Sequence, residues 1–324
     1  MTTSPKTVTT STRETVASGL IGQLEAQVGT VLRGKQEVVR LAVVCLLAKG
    51  HVLIEDVPGV GKTTLAQALA RSLGVDFQRI QFTSDLLPSD ILGVSIFRQE
   101  TQAFEFVHGP LFANVVLADE INRASPKTQS ALLEAMSERR VSVDGEPLAL
   151  PEPFLVLATQ NPLEYVGTFP LPESQLDRFT MSLRIGYPPR IEERDLLLSG
   201  GVESTMSSLR PALSRQELLQ LQEWVGSVHV AEKVVDYMLA LAGASRSAAS
   251  DFLLGVSTRG LQGLYRACQA MALCEGRDFV IPDDVQRLAV PVLAHRLVLK
   301  SGDESPKAGR AALERLVAGL SVPV

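Results

Sequence analysis

The sequence lacks any apolar run near the roughly 20 residues a membrane-spanning helix needs. Residues 41–48 are apolar, but the run is short and Lys49 closes it. Cysteine is scarce. Cys45, Cys268 and Cys274 form no CxxC pair and have no histidine at metal-ligand spacing, which excludes a disulfide framework and a thiolate metal centre. They read as buried or idle thiols in a reducing compartment. A surplus of positive charge is also missing: net charge is −5 and the pI is about 5.5. That argues against a chain whose main business is coating nucleic acid. The first dozen residues have neither the apolar h-region of a secretory signal nor an arginine-rich amphipathic pattern, so the expected location is cytoplasmic. Internal repeats are absent, and low complexity is confined to the Thr/Ser-rich start, read as a disordered tail over residues 1–18.

What is present is a 324-residue chain, 45% hydrophobic, long enough for one large or two ordinary domains. Leu20, Ile21, Leu24, Val28 and Val31 or Leu32 recur at helical spacing, and residues 37–48 suggest a second helix. Apolar runs at 51–55, 77–82, 114–119, 154–159 and 179–185 read as strands. Helical patterns at 63–73 and 127–138 alternate with them. Such alternation predicts a parallel sheet covered on both faces. Residues 93–108 and 140–153 look like hairpins inserted into this core, the second around Asp144-Gly145. The Pro188-Pro189 pair marks the expected boundary between an α/β core over residues 19–189 and a smaller, all-α unit over 190–324. In the latter, helices are expected at 214–228, 231–242, 258–274 and 282–294, and no strand.

The chemistry concentrates in Glu55-Asp-Val-Pro-Gly-Val-Gly-Lys-Thr-Thr64, between an apolar strand and a helix. This is the context of a phosphate-binding loop. Gly59 and Gly61 let backbone N–H groups turn toward phosphate oxygens, and the helix beginning near Lys62 points its positive end at the same anion. Lys62 is expected on the β- and γ-phosphates and Thr63 on Mg²⁺, with Pro58, Val60 and Thr64 completing the cradle. The general pattern has glycine where this chain has Asp56. Asp119 and Glu120 close the next apolar strand, the first as the expected metal ligand and the second as the group that orients or polarises the attacking water. Asn161 is either a polar amide facing the γ-phosphate or a turn-forming Asn-Pro. Arg178 is either a surface ion pair or an arginine delivered to a neighbour's phosphate, and Arg259 either a solvated helix start or a side chain reaching back to the γ-phosphate.

These runs, in this order, resemble the AAA+ ATPases and, within them, the MoxR family. The likeness covers about residues 22–296. It rests on Leu53-Ile-Glu-Asp-Val-Pro-Gly-Val-Gly-Lys-Thr63 (Asp56 included), Gly109-Pro-Leu-Phe112, Leu117-Ala-Asp-Glu-Ile-Asn-Arg-Ala124, the helix from Lys127, Ala158-Thr-Gln-Asn-Pro162 and Ser174-Gln-Leu-Asp-Arg-Phe179. The resemblance implies a P-loop AAA+ core with parallel sheet, flanking helices and two inserted hairpins, followed by a helical lid. It makes Asn161 a sensor 1 residue, Arg178 an arginine finger acting in trans with Arg123, Arg139 and Arg140 as rivals, and Arg259 the sensor 2 arginine. Val31 falls where relatives contact adenine. Thr258 stands where the family usually has proline, which leaves the start of that helix open.

The resemblance further implies ATP and Mg²⁺ as ligands, a hexameric ring, a separate partner with a von Willebrand factor A domain, and remodelling, maturation or metal insertion in a client complex. Two other readings stand beside this one. A nucleic-acid motor would want basic hairpins, whereas residues 93–108 carry Arg98 and His108 against Glu100 and Glu105, and 140–153 are net acidic after Arg140. A nucleotide switch would bind ATP with little turnover.

Overall fold

The computed structural model describes residues 10–143, 146–162, 167–247, 249–303 and 305–323. The chain opens with helices α1 (Thr10–Val31) and α2 (Gln36–Leu47), then strand β1 (Val52–Glu55), α3 (Lys62–Leu73), β2 (Phe77–Gln81) and the short α4 (Pro88–Leu92). A hairpin, β3 (Gly93–Arg98) and β4 (Ala103–His108), precedes β5 (Val115–Asp119) and α5 (Pro126–Glu138). A second hairpin follows, β6 (Arg140–Val143) and β7 (Glu146–Ala149), then β8 (Leu155–Gln160), α6 (Glu173–Leu176) and β9 (Met181–Leu183). The C-terminal part holds α7 (Arg190–Leu198), α8 (Glu203–Ser208), α9 (Arg215–Val225), α10 (Glu232–Arg246), β10 (Phe252–Leu254), α11 (Thr258–Cys274), α12 (Pro282–Leu293), β11 (Val298–Leu299) and α13 (Pro306–Ala318).

The central sheet is parallel throughout, in the order β2-β5-β8-β1-β9. Its inner strands β5, β8 and β1 are largely apolar because both faces are covered, whereas the edge strand β2 is mostly polar and exposed, and the period of two shows which residue goes where. Val52, Ile54, Val115, Leu117, Leu155 and Leu157 enter one core with α1, α2, α3 and the C-terminal helices. Leu53, Val116, Ala118, Val156 and Ala158 enter a second core with α5. Both expected hairpins are present as antiparallel pairs, with the Asp144-Gly145 turn outside the described residues. All three cysteines are buried, and burial pushes their thiols up.

Two expectations need correction. The tail was placed over residues 1–18, but α1 already begins at Thr10; residues 1–9 lie outside the described residues. Ala17 continues the buried stripe of Ile21, Leu24, Val28 and Val31 by one more turn, and Arg13 stacks 5.0 Å from the Trp224 ring centroid. A Thr/Ser-rich composition hides this helix, since its stability comes from docking and not from propensity. The C-terminal part also contains a strand pair, β10 with β11, antiparallel and only three and two residues long. Runs that short carry no readable periodicity. Among the described residues, no helix is long and apolar enough to cross a membrane.

His51 joins three elements at the start of β1. Its Nδ1 accepts from the Val156 backbone N–H (3.0 Å), so Nε2 carries the proton and donates to the Met136 carbonyl (3.1 Å). Burial lowers its pKa to about 4, with the Met136 hydrogen bond opposing the shift. The unfolded imidazole titrates near 6.5, so between these values the unfolded chain binds the extra proton. Stability is therefore full above about pH 6.5 and declines as pH falls toward 4, by about 2 kcal/mol at pH 5. His295, lowered by burial as well, adds to the same trend. His51→Gln is expected to flatten the fall of melting temperature between pH 7.5 and 5. An unchanged slope would contradict this account.

Candidate functional site

The loop between β1 and α3 turns through two left-handed glycines, Gly59 (φ 83°) and Gly61 (φ 99°), the latter capping α3. An L side chain is strained at either φ. A Cβ on Gly61 would also approach the Leu32 side chain to 3.0 Å, whereas at Gly59 the space is open. Lys62 donates to the Asp56 carbonyl (2.8 Å), which folds its ammonium over the turn. Around this loop lies a cavity of about 510 Å³. Pro58, Gly59, Val60, Gly61, Lys62, Thr63 and Thr64 line its floor, Asp119, Glu120 and Asn161 one wall, and Val31, Leu32, Pro188, Leu196 and Val202 an apolar end. The structure thus gathers the expected phosphate, metal, water and adenine residues, including Asn161 just past β8, into one cleft at the carboxyl ends of the strands.

Asp56 explains its own departure from glycine. One carboxylate oxygen, Oδ2, accepts from the backbone N–H groups of Ile185 (2.8 Å) and Gly186 (2.6 Å), just beyond β9, and Oδ1 accepts from Val57 N–H (2.9 Å). The side chain pins the start of the phosphate loop to the exit of the edge strand. Asp56→Gly would restore the general pattern yet orphan these donors. Unfolding by denaturant should show a loss of about 2–4 kcal/mol. Unchanged stability with weakened ATP binding would instead place Asp56 on the nucleotide.

The acidic wall is held by contacts across the fold, among them those from Arg79 and Gln81, which the sequence did not single out. Thr159 Oγ1 donates to Asp119 Oδ1 (2.7 Å) and accepts from Glu120 N–H (2.9 Å), fixing both acids from the neighbouring strand. Arg79 donates from Nε (3.1 Å) and Nη2 (2.6 Å) to Asp119 Oδ2. Gln81 donates to Glu120 Oε2 (2.9 Å), and Arg123 pairs with the same oxygen (3.1 Å). Parallel pairing sets β2 against β5 with Gln81 opposite Asp119, a register that brings Arg79 and Gln81 to the acids and that no local run in the sequence announces. Glu120 itself adopts a left-handed conformation (φ 59°, ψ 49°), at a cost of about 1–2 kcal/mol. Thr63 and Asp119 offer the hydroxyl and carboxylate oxygens that a hard cation prefers, so the residues fit Mg²⁺. That ion would neutralise charge between the β- and γ-phosphates.

Arg178 and Arg259 do not line this cleft. Both line a second, smaller one with Asp177, Thr180, Gln262, Gly263, Arg266 and Arg296, and the two clefts share no lining residue. Arg178 Nη1 donates to the Leu133 carbonyl (3.0 Å) and to Ser137 Oγ (2.5 Å), not to an acid. Arg259 is exposed at the second position of α11, which starts at Thr258 behind the Ser257 cap, so the absent proline leaves the helix start intact. Arg259 thus faces the second cleft and not the one around its own phosphate loop. Arg266, two turns further along α11, joins the same face and went unnoticed in the sequence. The rivals are engaged elsewhere: Arg123 with its own Glu120, Arg139 with the Lys49 carbonyl (2.7 Å) and Arg140 with Glu138 (3.1 Å).

A phosphate loop on a parallel sheet, an Asp-Glu wall and a helical lid define an ATPase of the P-loop class. Comparison narrows the class. Residues 51–181 match the ATPase family associated with various cellular activities (AAA), and residues 244–316 match the AAA lid domain. The chain is 51% identical over 280 residues to the uncharacterized protein YeaC of Bacillus subtilis, covering 86% of this chain and 87% of that one. It is 45% identical over 281 residues to Chaperone MoxR1 of Mycobacterium tuberculosis, covering 84% and 74%. A solved structure from Cytophaga hutchinsonii, assigned as an ATPase, superposes with a TM-score of 0.87 at 35% identity, over 97% of this chain and 98% of that one. The chain belongs to the MoxR family of AAA+ ATPases.

Proposed function

We propose that this ATPase works as a homo-oligomeric ring, hexameric by family resemblance, in which Arg178 and Arg259 of one copy complete the nucleotide site of the next. The observation that supports this reading is the separation of the two clefts: the phosphate loop, Asp119, Glu120 and Asn161 line one, Arg178 and Arg259 the other. A transferring phosphoryl group spreads negative charge over its oxygens and needs cations close by. Within one chain, Arg33, Lys35, Lys62 and Arg79 are the cations that line the cleft, and Arg79 is already paired with Asp119. Arginines from a neighbour would supply the rest. In this scheme Thr63 and Asp119 hold Mg²⁺, Glu120 polarises the attacking water, and Asn161 reports the γ-phosphate.

Work done by the ring is proposed to be chaperone-like remodelling, maturation or metal insertion of a client complex in the cytoplasm. A separate partner with a von Willebrand factor A domain would present the client. One relative is named a chaperone, which supports the general role. Steady-state Mg-ATP turnover measured against chain concentration tests the reading: a rise steeper than linear is expected, and loss of activity on chelating Mg²⁺. Strictly linear activity would overturn the shared site. Tight ATP binding without turnover would favour a nucleotide switch.

A further inference from the structure

We propose that Asp177 is a positioning residue that locks Arg178 and Arg259 into a single unit; the inference rests on the shared-site reading above. Asp177 Oδ1 accepts from Arg296 Nη1 (2.7 Å) and from Ser257 Oγ (2.8 Å), and its carbonyl accepts from Arg296 Nη1 as well (3.1 Å). Ser257 is the cap of α11, where its Oγ accepts from Gly260 N–H (2.9 Å). One hydroxyl therefore starts the helix that carries Arg259 and ties that helix to the residue preceding Arg178. This contact spans 80 positions of sequence, so it is a tertiary joint and not a local turn.

Arg296 clamps the joint from α12's end. It is 4% exposed, and its remaining donors go to the carbonyls of Phe179 (2.6 Å), Thr180 (3.4 Å) and Val292 (2.9 Å). His295 Nε2 donates to the same Phe179 carbonyl (2.9 Å). The turn at 177–180 is thus gripped by the end of α12 and by the start of α11 at once. Gly260 makes room for this: a Cβ there would stand 3.2 Å from Arg296 Cδ and 3.3 Å from Ser257 Oγ. Asp177 carries the negative charge in this joint, while every donor that Arg296 offers elsewhere meets a carbonyl. Its geometry fixes the spacing of two arginines that come from separate elements, and a displacement of about 1 Å at a charge-stabilising group is enough to cost about 100-fold in rate.

Asp177→Ala would strip the buried Arg296 of both its counter-charge and its side-chain acceptor and destabilise the fold, whereas asparagine removes the charge but keeps an acceptor oxygen. The test therefore uses Asp177→Asn and, as a milder break of the same joint, Ser257→Ala and Gly260→Ala, each checked for folding by melting temperature. Expected is a fall in kcat of about 10- to 100-fold with the ATP dissociation constant within about twofold of wild type, because the phosphate cleft is untouched. Each variant is then mixed with excess Glu120→Gln chains, whose own sites are impaired but whose arginine clefts are intact. Turnover should recover, as it should for Arg178→Ala mixed in the same way. A kcat near wild type in all three variants overturns the proposal, as does failure to recover while Arg178→Ala recovers. If Arg178→Ala also stays inactive on mixing, the shared-site reading falls, and the proposal with it.

Discussion

Replacing Arg178 by alanine is expected to lower kcat by about 10³-fold or more while leaving ATP affinity nearly unchanged. The affinity half follows from location: Arg178 lines the smaller cleft and contributes nothing to the cavity around the phosphate loop. The rate half follows from chemistry. Charge develops on the transferring phosphoryl oxygens only as the bond breaks, so a guanidinium that meets them there stabilises the transition state more than the bound substrate. Its side chain is available for this. It donates to the Leu133 carbonyl and Ser137 hydroxyl, neutral acceptors that a phosphate oxygen outcompetes, and Nε has no hydrogen-bond partner among the described residues. Arg178→Lys should recover little, because an ammonium lacks the planar fork. Single-site ATP binding by fluorescence and steady-state turnover separate the two halves. An Arg178→Ala chain with kcat within a few-fold of wild type would transfer the role to Arg259 or Arg266.

The phosphate loop and the acidic wall were legible because local sequence encodes them. Gly59 and Gly61 lie within a strand–loop–helix passage whose chemistry is complete in ten residues. The buried strands were legible for the same reason, since a sheet covered on both faces demands continuous apolar runs. What stayed hidden depends on contacts across the fold. Asp56 meets Ile185 and Gly186 from 129 and 130 positions away, so its departure from glycine looks like a defect until β9 is placed beside β1. Thr159 gains its role because β8 runs next to β5. The surroundings of Arg259 stayed hidden because helix pattern reveals α11 but not which cleft its start faces. The helices α7, α8 and α13 also escaped. The first buries no residue completely, and exposed Leu197 and Leu198 on α7 break the amphipathic pattern that would announce it.

Glu120→Gln is expected to reduce kcat by about 10²- to 10⁴-fold, with ATP still bound and the bound state longer lived. The structure makes this a clean substitution. Gln81 Nε2 donates to Glu120 Oε2 at 2.9 Å, and a glutamine amide oxygen would accept that bond equally well. Backbone placement also survives, because the left-handed conformation at residue 120 is secured by Thr159 Oγ1 accepting the main-chain N–H, independent of the side chain. What changes is basicity and charge: an amide does not polarise water toward a phosphorus centre. The pairing with Arg123 weakens with the lost charge, but that pair is a partly exposed one, worth at most about 1 kcal/mol. Stability should therefore differ little from wild type, and a melting-temperature comparison verifies it. Asp119→Asn supplies the contrast. It leaves the two-donor grip of Arg79 on Oδ2 without a formal counter-charge and weakens the oxygen set offered to Mg²⁺, so both ATP binding in Mg²⁺ and turnover should fall. If Glu120→Gln kept turnover within tenfold of wild type, water activation would have to come from another group in the cleft. Asp119 is then the one acid left on that wall, and a greater loss in the Asp119 variant would identify it.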